Sequence, residues 1–215
     1  MATNNRIINP APPNLPLSTD QYDRRYQDQF LNILRLYFNQ LQNSLTELLG
    51  NTGGKYIAFP YGAFSDFTSQ TATVNTATLM ALNTTDFSNT VSLQTGSKIT
   101  VANAGIYNLQ FSAQLQNLDN APQDVFIWLK QNGTDIVGST GKVGMPARKS
   151  AGVPSHDIKG WNYFLSMNAN DYVQIYWSTT NASVTIETYA ASGTPTKPST
   201  ASVVATLSFV SALPP

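Results

Sequence analysis

The stretch Ala104–Gln116, AGIYNLQFSAQLQ, constrains the fold more than any other part of the chain. After Gly105, the residues Tyr107, Leu109, Phe111, Ala113 and Leu115 occupy one set of alternate positions, and Ile106, Asn108 and Gln110 occupy the other. Alternation of period two held over this length describes a β-strand with one face in a core. Shorter runs of the same kind follow Tyr56, separated by turn signals. Strands are expected at 56–59, 63–70, 73–82, 92–93, 98–101, 105–116, 124–131, 134–140, 161–167, 171–177, 183–189 and 202–210. Asn132-Gly133 is a hairpin signal and 168–171 a polar turn. So many short strands predict a two-sheet sandwich. The stretches 141–159 and 191–200, rich in Gly, Pro, Ser and Lys, are expected to be exposed loops.

The first fifty residues have a different character. Residues 1–17 carry Pro10, Pro12, Pro13 and Pro16, which fix φ and remove donors, so an extended, polyproline-like arm is expected. Either a neighbouring subunit or protein holds this arm, or it lies on its own domain. Residues 18–50 read as a helix, with Ser18 or Thr19 as N-cap and Gly50 as the stop. Tyr26, Phe30, Ile33, Leu34, Tyr37, Phe38, Leu41, Leu45 and Leu48 recur at three- and four-residue spacing and form a stripe nearly half the circumference wide. That is wider than the seam of a two-stranded coil. It fits a three-helix bundle, a protein shell, or the chain's own β domain. Residues 51–58 form a Gly-rich linker, and 59–215 the β domain.

Composition decides which partners to expect. Lys plus Arg number 12 and Asp plus Glu 12, for a formal net charge of zero, and charged residues are only 11% of the chain. There is no basic excess to bind nucleic acid. No apolar run approaches the roughly 18 residues of a membrane span. A neutral surface of Ser, Thr, Asn and Gln favours association over life as a free solute. Cysteine is absent, so disulfides and thiolate metal sites are excluded. The N-terminus lacks a secretory pattern, so synthesis and retention in a cytoplasm are expected.

Little points to chemistry. His156 is the only histidine and has no nucleophile or metal partner in its vicinity. Carboxylates are sparse, and no pair is signalled for glycoside hydrolysis. Asp119 and Asp124 leave a calcium loop open, without a recognised loop pattern. No catalytic residue and no cofactor is assigned. Lys142, Arg148, Lys149 and Lys159 make 141–159 the one basic patch. Trp161, just after it, is the tryptophan best placed to stack on a sugar ring. Arg148, Lys149, His156 and Trp161 are therefore the candidate distal contact residues.

Several segments then carry a family resemblance. Gly105-Ile106-Tyr107-Asn108-Leu109-Gln110-Phe111 resembles the central strand of C1q/TNF-like jelly rolls. Val125–Gly133 resembles the next strand with its turn, and Asn170-Asp171-Tyr172-Val173-Gln174-Ile175 the later Gly-Asp-x-Val strand, with Asn170 in place of glycine. Ala205–Val210 stands where the closing strand belongs. The resemblance covers about 60–212 and implies a mainly β fold: a C1q/TNF-like jelly-roll sandwich preceded by one N-terminal helix and an extended Pro-rich arm. The order of arm, helix with ILRLYFNQL, Gly linker and polar jelly roll resembles virion proteins of tailed bacteriophages, cyanophage-like ones in particular.

That second resemblance implies a homotrimer on the virion, made in the host cytoplasm. Residues 1–50 would bind the major capsid protein or another virion protein. Capsid decoration or cement is the first expected role, and a head-spike or tail-fibre module binding a receptor or glycan is the alternative. Core and trimer interface are expected at Tyr107, Leu109, Phe111, Phe126, Trp128, Tyr172, Ile175 and Trp177. The consecutive apolar residues 126–129 and 172–177 leave apolar outer faces that want a partner.

Overall fold

The computed structural model describes residues 10–18, 20–49 and 59–213; the first nine residues, Thr19, the expected stop at Gly50, the linker with the strand expected from 56, the side chains of residues 47–49 and the last two residues lie outside them. The chain divides into two compact units, Met1–Ala58 and Phe59–Pro215.

In the first unit, helix α1 spans Arg24–Leu49 and contains neither proline nor glycine. It starts later than residue 18, because Asp23 is the cap: the Arg25 N–H donates to Asp23 Oδ1 at 2.8 Å and the Gln27 N–H to the Asp23 carbonyl at 3.1 Å. A carboxylate there satisfies orphan donors and meets the positive end of the helix dipole. In the arm, Pro10, Pro13 and Pro16 are half-buried while the other residues from 11 to 18 are exposed. This period of three is the repeat that a polyproline II helix would have. The Tyr26 hydroxyl donates to the Pro16 carbonyl at 3.4 Å, tying arm to helix.

The second unit is all β. Its strands are β1 (Tyr61–Asp66), β2 (Gln70–Thr71), β3 (Thr78–Leu79), β4 (Thr84–Asn89), β5 (Val91–Gln94), β6 (Lys98–Val101), β7 (Gly105–Asn117), β8 (Gln123–Gln131) and β9 (Thr134–Asp135). They continue with β10 (Gly141–Met145), β11 (Ser155–Lys159), β12 (Asn162–Met167), β13 (Tyr172–Thr179), β14 (Val184–Ile186), β15 (Ser192–Gly193), β16 (Thr196–Lys197) and β17 (Val203–Ser211). One antiparallel sheet has eight strands in the order β2-β14-β7-β17-β1-β4, with β11 and β12 on the other edge of β7. The second has seven, β10-β8-β13-β6-β5, with β3 and β9 attached. The two sheets form the jelly-roll sandwich.

The alternation in β7 is realised in full. Tyr107, Leu109, Phe111, Ala113 and Leu115 are buried, facing Val125, Ile127, Leu129, Val173, Ile175 and Trp177 of the other sheet in one core cluster. Asn132 and Gly133 have φ of 51° and 82°, the left-handed pair that a two-residue hairpin requires. Asn170, where the resembled family has glycine, has φ of 70°; asparagine tolerates that conformation better than other non-glycine residues.

Several expectations are corrected. The segment 141–159 is not one loop: β10 pairs with β8 and β11 with β7, leaving only 146–154 irregular. Within 191–200 lies the small β15–β16 hairpin. Of the strand expected at 73–82 only β3 forms, and of 134–140 only β9. Strand β4 was not expected, since its alternate residues are nearly all polar and exposed.

Candidate interaction surfaces

The sandwich has two ends. Strand β1 enters beside the last residues of β17, where the Phe209 N–H donates to the Pro60 carbonyl. The turn at 168–171 lies at this end too, its Asn170 N–H bonded to the Val101 carbonyl close to the start of β7. At the opposite end, three loops are knitted together. Asn117, fully buried, donates from Nδ2 to the carbonyls of Pro146 at 2.9 Å and Ala121 at 3.1 Å. The Arg148 N–H donates to the Asp119 carbonyl at 2.8 Å, and the Leu118 N–H to the Ser183 carbonyl at 3.1 Å.

Of the four basic residues expected in one patch, two are neutralised. Lys142 pairs with Asp124 and Lys159 with Asp157, each at 2.8 Å. Among the described residues Arg148 and Lys149 form no ion pair; the Arg148 guanidinium reaches only the Leu118 carbonyl, at 3.4 Å. They stand together in the loop at the end away from the chain's entry. His156 is not in that loop but on β11, where its Nδ1 lies 3.0 Å from the Tyr189 hydroxyl. Burial, and then the charge of Glu187, raise the Tyr189 pKa. Trp161 is no distal contact: its ring meets Phe111 edge-on at 4.7 Å and lies over Gly141, whose missing Cβ would sit 2.6 Å from it. Asp119 and Asp124 are each engaged separately, Asp119 by the amides of Asn181 and Gln123 and Asp124 by Lys142.

The expected core and interface residues separate into two groups. Tyr107, Leu109, Phe111, Ile175 and Trp177 lie inside the sandwich. Phe126, Trp128 and Tyr172 face outward on the seven-stranded sheet, half-buried, with Tyr176 beside them. Lysines cover these rings: Lys142 lies 5.6 Å from the Phe126 centroid, Lys130 4.6 Å from Tyr176 and Lys98 4.6 Å from Tyr172. The Trp128 indole donates to Asp135 Oδ1 at 2.7 Å. Stems and charges of the same chain thus cover part of these outer aromatics.

The outer face of the eight-stranded sheet is different, and sequence reading passed over it. On β7 it presents Ile106, Asn108, Gln110, Ser112, Gln114 and Gln116. Cross-strand register adds Phe164 and Asn162 from β12, Ile158 from β11, and Val204, Thr206 and Ser208 from β17. Strands β7, β12, β17 and β1 place no charged side chain there. Glu187 and His156 stand at one margin, and Asp86 at the β4 edge. Two apolar groups mark opposite edges: Ile158 and Phe164, with Phe164 57% exposed, and Tyr61 with Phe87, the latter 63% exposed. Between them, Asn108 Oδ1 is shielded from water and has no hydrogen-bond partner among the described residues.

On α1, Tyr26, Phe30, Ile33, Leu34, Tyr37 and Leu41 are half-buried, whereas Phe38 and Leu45 are exposed. No helix among the described residues is long and apolar enough to cross a membrane.

No family model matches the sequence, and no curated protein does. Among solved structures the chain is similar to the Eiger TNF of S. frugiperda, at 11% identity and a TM-score of 0.46, over 74% of this chain and 96% of that one.

Proposed function

We propose that this chain is a homotrimeric structural protein of a tailed-phage particle, a capsid decoration or cement protein. Its jelly rolls associate through the outer face of the eight-stranded sheet, and its arm and helix attach it to the shell. The observation that carries the self-association is the contrast between the two outer faces. One is studded with charges and covers part of its own aromatics. The other is uncharged across four strands, exposes Phe164, Ile158, Tyr61 and Phe87, and holds an unpartnered amide oxygen at Asn108. Apolar groups with an uncharged polar surround pack against a copy of themselves without like-charge repulsion. Attachment through residues 1–50 is supported by the proline-rich arm and by apolar side chains on the helix. The protein acts by burying surface, without catalysis, and is made in the host cytoplasm before assembly.

A receptor- or glycan-binding fibre module is the second reading, supported by Arg148 and Lys149, two cations without carboxylate partners among the described residues, on a hydrogen-bonded loop platform. Cross-linking mass spectrometry on purified particles separates the two. Links from residues 1–50 to the major capsid protein support cement, and links to tail or baseplate proteins overturn it in favour of the fibre. Light scattering on the free protein should give three times the 23.4 kDa chain mass. A monomer at micromolar concentration would sink the trimer.

A further inference from the structure

The apolar stripe of α1 has two sides that differ in exposure. Its half-buried side runs through Tyr26, Phe30, Ile33, Leu34, Tyr37 and Leu41. Beside it lies an open row: Leu31, Phe38 and Leu45, exposed by 54%, 58% and 47%. These three are spaced by seven residues. Seven residues fall about 20° short of two helical turns, so such a row is followed by a neighbouring helix with the same repeat in a left-handed supercoil. Between Leu31 and Leu45 the one charged residue is Arg35, whose guanidinium donates to Asn32 Oδ1 of its own helix at 2.8 Å, and from Leu36 to Thr46 copies laid side by side meet no like charge.

We infer that Leu31, Phe38 and Leu45 are a second self-association surface, on which the α1 helices of one trimer pack in parallel. The inference rests on the trimer proposed above. Residues 50–58 connect each helix to its jelly roll, and nine residues reach at most about 30 Å. Three helices on such tethers meet at an effective concentration in the millimolar range, where a short seam of three apolar residues per helix associates although isolated helices would not. The occupant of this row is thus another copy of the chain, and the arm and the remaining helix surface are left for the particle.

The absence of cysteine makes the test direct. Leu36, 53% exposed, is as accessible as Phe38 but lies about 200° around the helix from it. Full-length Phe38→Cys and Leu36→Cys proteins are oxidised with copper–phenanthroline, and their masses are measured by light scattering in parallel. Phe38→Cys should give about tenfold more disulfide-linked dimer than Leu36→Cys, because the tether acts equally on both positions and only the seam holds the thiols side by side. Leu31→Cys and Leu45→Cys should behave like Phe38→Cys, which keeps the test valid if one variant folds poorly. A trimeric mass with equal or no cross-linking at the two positions overturns the helix seam and leaves the jelly-roll trimer standing. A monomeric mass without cross-links overturns both. In particles, Phe38→Cys linked by a bismaleimide to the shell protein and not to its own copies overturns the inference in favour of a shell-bound helix.

Discussion

At Gly160 the backbone leaves no room for a single added carbon. A Cβ there would lie 1.9 Å from the Phe111 carbonyl oxygen and 2.9 Å from Ser112 Cα, both main-chain atoms of the central strand. Backbone cannot swing aside as a side chain can. Gly160→Ala should therefore force β7 away from the β11–β12 junction and destabilise the domain by about 3 kcal/mol or more. Gly144→Ala is the control, since nothing lies within 4 Å of its Cβ, and it should change stability by no more than about 0.5 kcal/mol. Urea midpoints measure both. Asp171 gives a pH signature. Burial pushes its pKa up, but the Asn168 N–H and the amides of Asn132 and Gln131 outweigh this and hold it below the usual 3.8. A depressed folded-state pKa contributes stability that is present above the unfolded pKa and lost as pH falls through the folded one. Asp171→Ala should thus be less stable than the parent at pH 7, with the gap closing steadily below pH 3.8. A gap independent of pH would show that the carboxylate's charge is not what holds the turn. The residue scale was unevenly legible in the sequence. Asn132-Gly133 and Asn170 announce positive φ through local chemistry, whereas Gly160 matters because of Phe111, and no local pattern reports a contact between residues so far apart.

Strands were legible where one face is continuously apolar, as in β7, and illegible where pairing alone makes them. GKVGM in β10 and SHDIK in β11 carry glycine, lysine and histidine, yet five cross-strand positions bind each to a well-patterned neighbour. Their regularity is imposed by β8 and β7, a tertiary override of weak local preference. The seven-stranded sheet hides part of its packing for the opposite reason. Consecutive apolar residues at 126–129 and 172–177 suggested rings waiting for another subunit, but period two cannot show that lysines on the same face or the next strand would lie over them. This cover has a measurable strength. Lys130 sits over Tyr176 at 4.6 Å and 3.3 Å from Asp135. Lys130→Ala should destabilise by about 0.5–1 kcal/mol. Lys130→Met, which keeps an apolar stem over the ring, should recover at least about half of that loss, because much of the cover is methylene rather than charge. Equal thermal shifts for the two variants would mean that charge alone is responsible. The helix boundary shows the same limit, since Asp20 and Asp23 are equivalent in composition and only the bonds to Arg25 and Gln27 identify Asp23 as the cap.

For the whole molecule, the question is which symmetry the uncharged sheet face permits. Its two apolar groups lie at opposite edges, Phe164 and Ile158 on β12 and β11, Phe87 and Tyr61 on β4 and β1. A two-fold dimer can set these two edges on each other twice and then stops at two copies. Placing the Phe164 edge of one copy on the Phe87 edge of the next covers both groups and, with closure, yields a ring. The junction between these two edges has a direct test, and a parent mass of three chains rather than two tells the ring from a two-fold pair. Phe164→Asp and Phe87→Asp each bury a carboxylate at every junction and should weaken self-association by at least about 100-fold, giving monomers with unchanged circular dichroism. Mixed in equal amounts, the two variants can still form one sound junction, between the intact Phe164 of one and the intact Phe87 of the other. The ring cannot close, because the remaining edges both carry aspartate. Light scattering should therefore show dimers in the mixture and monomers in either variant alone, while a charge placed at Ser178 on the other sheet leaves the trimer intact. If the mixture stays monomeric while the parent is a trimer, the two edges do not meet, and the jelly rolls must associate through some other surface.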